Sequence, residues 1–154
     1  MSENIDETDR RILKLLQADA NQSLESIAEM TGVSLNTAWR RVQRMEQEGI
    51  IENRVALLNP EAVGLPLTVF VAVRTDEHSE AWSENFAKAA NDIPQIIEFY
   101  RLAGDVDYLL KMVVADVADY DRVYKKLITR VKLSDVTASF AMERIKYTTA
   151  LPIF

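Results

Sequence analysis

The chain has 154 residues, 48% hydrophobic and 27% charged, with four Gly, four Pro and a net charge of −6. That composition suits one medium or two small packed domains and excludes a disordered polymer. Zero Cys removes disulfides, thiolate nucleophiles and Cys-based zinc sites, and a single His leaves little for metal or triad chemistry.

Along the chain, Ile5, Ile12, Leu13 and Leu16 recur at helical spacing, with Asp6, Glu7 and Asp9 at the end where acids favour the helix dipole. The first helix is therefore predicted over 5–16. Ser23 is the expected N-cap of a second helix over 24–30, with Leu24, Ile27 and Ala28 inward and Gly32 closing it at positive φ. Ser34 then caps a third helix that runs to Gln47 or Glu48, with Gly49 at its C-terminal end.

Turning that third helix by 100° per residue gathers Leu35, Ala38, Trp39, Val42 and Met45 on an inward arc. Thr37, Arg40, Arg41 and Arg44 fall on the opposite arc, flanked by Asn36 and Gln47. Between Thr31 and Met45 there are three Arg and no acid, a local basic footprint inside an acidic chain. The short second helix, the Ala28-x-x-x-Gly32 spacing and the capped third helix fit a helix-turn-helix. Ser34, Asn36, Thr37, Arg40, Arg41 and Arg44 are then the candidates to meet base edges and phosphates of double-stranded DNA. A three-helix bundle with a solvated Arg face is the bland alternative, and it leaves the tight turn and the acid-free face unexplained.

Ile50 to Leu58 is rich in branched residues and reads as an extended connector broken by Asn59-Pro60, serving as a wing or pairing with its copy in a second subunit. Beyond it, a strand is predicted over 67–74 and a helix capped by Ser79, with Trp82, Phe86 and Ala89 or Ala90 inward. Two strands follow, 96–102 and 108–114, joined by Ala103-Gly104-Asp105-Val106-Asp107. Asp116 or Asp119 opens a helix with Val117, Tyr120, Val123, Tyr124, Leu127 and Val131 on one stripe, and a last strand spans 136–145. The fold class is thus α+β, an N-terminal winged helix-turn-helix followed by a ferredoxin-like βαββαβ domain. The expected domains are 1–50, a connector over 51–64, and 65–154. The open sheet face of the second domain needs a cover, so an obligate homodimer is expected.

The string from Gly32 to Ile51 (GVSLNTAWRRVQRMEQEGII), then Gly104-Asp-Val-Asp-Tyr-Leu-Leu-Lys111 and the helix start at Asp116 to Tyr120, resemble the Lrp/AsnC regulators. The likeness runs from Ile5 to Pro152. It implies a prokaryotic DNA-binding regulator, dimeric and often octameric, whose C-terminal domain binds a small effector, usually an amino acid. Ser34, Thr37, Arg40, Arg41 and Arg44 match the recognition-helix positions, and Gly104, Asp105 and Asp107 match the loop lining the effector pocket between subunits. Backbone amides of such a loop can hold a carboxylate while Asp105 or Asp107 pairs with an ammonium group; the simpler account is a Gly turn capped by acids. Thr137 and Ser139 alternate out of phase with Val136, Ala138 and Phe140, which brings them to the same cleft or merely makes one strand face polar. Leu35 stands where many relatives have Pro, and Val131-Lys132 where many have Pro-Gly.

Two other readings compete with this one. A tetrapyrrole decarboxylase-like enzyme shares the two-part plan, but it would need imidazole and cationic groups in the cleft, and the one His, His78, sits in a polar run; the chain is read as no enzyme and without cofactor. An assembly module that has lost DNA binding is favoured by the acidic pI near 4.9. The longest apolar runs fall short of the roughly 20 residues of a membrane span, and Met1-Ser-Glu-Asn-Ile-Asp lacks the marks of an export signal, so a cytoplasmic protein with no membrane partner is expected.

Overall fold

The computed structural model describes residues 5–154. Contacts gather them into two compact units, the stretch up to Ala56 together with Lys146–Phe154, and Leu57–Ile145. Lys146–Phe154, expected with the second domain, thus belongs with the first. The side chain of Gln17 donates to the Leu151 carbonyl at 3.1 Å and accepts from its N–H at 2.6 Å, and Ile153 packs on the helical core.

The first unit holds three helices, α1 (Glu7–Ala18), α2 (Leu24–Thr31) and α3 (Leu35–Gln47). α1 starts two residues later than expected because Asp6 is its N-cap: its side chain accepts from the Asp9 N–H at 2.8 Å while Asp9 accepts from the Asp6 N–H at 3.2 Å. Ser23 and Ser34 cap α2 and α3 in the same way, through the N–H groups of Ser26 and Thr37. Gly32 closes α2 at φ 71°, a left-handed conformation that costs glycine little, and the Val33 N–H returns to the Ala28 carbonyl, which makes the tight turn. Ile12, Leu13, Ile27, Ala28, Ala38, Val42 and Met45 form the small core.

Residues 50–66 carry no helix or strand. The second unit runs β1 (Leu67–Arg74), α4 (Glu80–Asn91), β2 (Ile96–Arg101), β3 (Tyr108–Val114), α5 (Val117–Ile128) and β4 (Asp135–Phe140). The strands form one antiparallel sheet in the order β2-β3-β1-β4, with Val71 opposite both Leu110 and Ala138. This is the ferredoxin-like plan the sequence led us to expect. β4 stops at Phe140 rather than 145, and Val117 of α5 is exposed because it lies in the first turn, ahead of the stripe formed by Val123 and Leu127.

Strand alternation divides the sheet cleanly. Val69, Val71, Val73, Leu110, Met112 and Val114 are buried against Phe86, Ala89 and Ala90 of α4 and Val123 and Leu127 of α5. The opposite face, free of helices, carries Phe70, Lys111, Thr137 and Ser139, with Phe70 opposite Lys111 on one side and Ser139 on the other.

Candidate nucleic-acid interface and sheet-domain loop

α3 touches its unit along a narrow stripe. Ala38, Val42 and Met45 are buried at i, i+4 and i+7, whereas Leu35 and Trp39, expected inside, are 46% and 50% exposed. At 100° per residue these two sit roughly a quarter turn from the stripe, and a three-helix unit has no fourth element to cover that flank. Together with Leu24, Glu25 and Asn36 they line a shallow hollow.

The basic face also differs from expectation. Asp9 of α1, only 1% exposed, accepts from Arg41 at 2.9 Å and from Arg44 at 2.5 Å, and Arg41 also reaches Asp6 at 2.7 Å. The guanidiniums of Arg41 and Arg44 therefore face α1 instead of standing free, because an uncompensated buried carboxylate would be far costlier than drawing two cations to it. The Asp9 amide, then the Arg41 guanidinium, hold the Asp6 carboxyl below its ordinary pKa. Arg40 is exposed and keeps its charge outward.

What faces away from the core is a row at i, i+4, i+7 and i+11: Asn36, Arg40, Gln43 and Gln47. Gln43 was missed in the sequence, although its place in that row was there to be read; its amide donates to Glu46, which also holds Arg54 at 2.7 Å. Ser34 and Thr37 sit at the start of the row, hydroxyls 2.9 Å apart, with the Ser34 oxygen also accepting the Thr37 N–H. The arrangement joins one outward cation, three amides and the hydroxyls of a capped helix start, a combination suited to reading hydrogen-bonding edges in a major groove.

In the sheet unit the loop between β2 and β3 is tied down by its ends. Gly104 adopts φ 145°, a conformation that other residues rarely take. The Asp107 carboxylate accepts the Thr75 N–H at 2.9 Å, which ties the loop to the end of β1 rather than capping its own turn. Asp105 is exposed, and its carbonyl accepts from Arg74 Nε at 2.8 Å. Arg74 also approaches Asp135 at 3.6 Å, which links the loop to the start of β4. Thr137 follows two residues on, opposite Ala72, and Ser139 lies further along the same open face. That face bears a polar cluster that sequence reasoning missed: Lys111 to Glu98 at 2.7 Å and the Tyr100 hydroxyl to Glu98 at 2.9 Å, visible only once strand register is known. Lys111 draws the Glu98 pKa down, and Glu98 in turn raises that of Tyr100. Among the described residues no group of His, Asp and Glu gathers as a metal site, and no helix is long and apolar enough to cross a membrane.

The winged helix-turn-helix DNA-binding family matches residues 5–52, and the Lrp/AsnC ligand binding domain family matches residues 68–151. The chain is 52% identical over 153 residues to the glutamate uptake regulatory protein of Zymomonas mobilis, covering 99% of this chain and 93% of that one. It is 47% identical over 150 residues to the DNA-binding transcriptional activator DecR of Escherichia coli, covering 97% of this chain and 99% of the relative. A crystal structure of an AsnC family transcriptional regulator from Agrobacterium tumefaciens superimposes with a TM-score of 0.93 at 47% identity, covering 96% of this chain and 97% of that one. A transcriptional regulator from Neisseria meningitidis, solved as a complex with L-Met, does so at 0.90 and 31% identity, covering 96% of each. With a helix-turn-helix, a ferredoxin-like domain and full-length regulator relatives, the chain belongs to the Lrp/AsnC family of transcription regulators.

Proposed function

We propose that this regulator lays α3 in the major groove of duplex DNA, with Asn36 and Arg40 meeting base edges and Ser34 and Thr37 at the entering end of the helix. The outward row on α3 carries this reading, since it sets the exposed cation Arg40 between the exposed amides Asn36 and Gln47 on the side turned away from the core. Arg41 and Arg44 then act at one remove: they join α3 to α1 and leave part of their charge, 26% and 33% exposed, beside the phosphates. Residues 1–50 are the DNA-binding domain, 51–64 the connector, and 65–154 the effector and assembly domain, apart from the tail that returns to the first unit.

The second domain holds an amino-acid effector at the loop formed by Gly104, Asp105 and Asp107, with Thr137 and Ser139 on the adjoining face. Support comes from the bound L-Met in the Neisseria relative, from the exposed Asp105 carboxylate and from the loop's attachment to β4 through Arg74. Its uncovered sheet face suits a homodimer that assembles further to an octamer. The protein works in the cytoplasm, without a cofactor or catalytic activity of its own.

Gel-shift titration of the full chain tests the DNA assignment. Arg40→Ala is expected to lose binding by tenfold or more with an unchanged melting temperature; binding equal to the parent's would remove α3 from the groove. A thermal-shift screen of the twenty amino acids tests the effector, with a neutral one raising the melting temperature in the parent and not in Asp105→Ala. If none of the twenty does so, the effector assignment falls.

A further inference from the structure

Leu35 and Trp39 are apolar side chains about half in water, side by side at i and i+4, on a helix whose buried stripe is complete without them. They adjoin the row proposed for DNA: Asn36, three residues before Trp39, lines the same hollow, and Arg40 follows directly. Residues 35, 36, 39 and 40 make up the exposed part of the first two turns, and in a docked helix-turn-helix it is the N-terminal part of the recognition helix that reaches base edges. The hollow suits one feature of those edges. Its walls are Leu24, Leu35 and Trp39, and its single charge, Glu25, repels phosphate, so the backbone is disfavoured there and a base edge is favoured. In the major groove, thymine alone presents a methyl group.

The geometry points to Trp39 and Leu35 as specificity-determining residues that receive a thymine 5-methyl group in the hollow beside Asn36. This rests on α3 being the DNA-reading helix. Sequence preference then has an apolar component next to the polar one from Asn36 and Arg40, and it discriminates thymine from cytosine without a hydrogen bond. Burying one methyl group corresponds to about a fourfold gain in affinity.

The test uses the full chain and duplexes enriched from a random pool by the protein itself. Each thymine of the enriched site is replaced singly by deoxyuridine, which keeps every hydrogen-bonding group and removes only the methyl. Binding is read by fluorescence anisotropy. The expected result is a loss of about fourfold at one or two thymines per half-site for the parent and for Arg40→Ala, and no loss at those positions for Trp39→Ala. Leu35→Ala carries the same test should Trp39→Ala fail to fold. A parent that binds tightly yet ignores every methyl overturns the proposal and leaves the regulator reading intact. So does a Trp39→Ala variant that keeps the parent's deoxyuridine profile, or one whose mass without DNA shifts, since the patch would then be a contact between copies. A parent that binds no duplex takes down both.

Discussion

Replacing Asp9 isolates the main electrostatic contact of the helical unit. The carboxylate is 1% exposed, accepts from two guanidiniums and from the Asp6 N–H, and has no access to water that could compensate it. Removing one member of a buried charge cluster typically costs about 3–5 kcal/mol. Here the partners left behind are a quarter to a third exposed, and Arg41 retains Asp6 at 2.7 Å, so both guanidiniums can partly rehydrate. We therefore expect Asp9→Ala to cost about 2–3 kcal/mol, at or just below the lower end of that range. Asp9→Asn keeps an acceptor for the Asp6 N–H and should fall between parent and Ala, separating the cap from the charge. Urea unfolding followed by the fluorescence of Trp39, which lies in this unit while Trp82 lies in the other, reads the effect. A unit of this size should melt roughly 15–20 °C lower for Asp9→Ala. If Asp9→Ala unfolds within about 0.5 kcal/mol of the parent, the cluster is not what joins α1 to α3 and the reasoning is refuted.

Gly104→Ala should lose about 1–2 kcal/mol, from φ 145° alone, since a Cβ there would meet nothing within 4 Å; a crystal structure of the variant should show a shifted loop and no clash. Gln17→Ala removes both hydrogen bonds to Leu151, and limited proteolysis should then trim the last residues several times faster while the helical unit keeps its circular dichroism. Acid should destabilise both units. Asp6 and Glu98 have folded pKa values below their ordinary ones, so the stability each contributes is complete above the unfolded carboxylate pKa near 4 and disappears as pH falls through the lower folded value. Asp6→Asn should flatten the acid limb of the melting curve for the helical unit, and Glu98→Gln that of the sheet unit. An unchanged slope in either variant would count against its ion pair.

The three helices, the Ser caps of α2 and α3 and the glycine turn were legible because they depend on neighbours three or four residues away. Periodicity also placed Ala38, Val42 and Met45 inside correctly. It failed at Leu35 and Trp39, because an apolar arc read from a wheel says which residues could face a core and not how wide that core is. Composition counted Arg40, Arg41 and Arg44 as equals; a carboxylate 32 to 35 residues earlier in the chain divides them.

Sequence by itself determined the element order, the Ser caps, the alternation that sorts each strand into two faces, and the family likeness, since all of these are written in local spacing. Only the tertiary structure decided which charges are spent inside the molecule, which apolar side chains stay in water, that Asp107 holds the Thr75 amide, and that the final residues return to the helices. The physical reason is range. A cap or a turn is settled within one helical turn, whereas the energy of a charge or an apolar surface depends on whatever distant segment arrives to cover it.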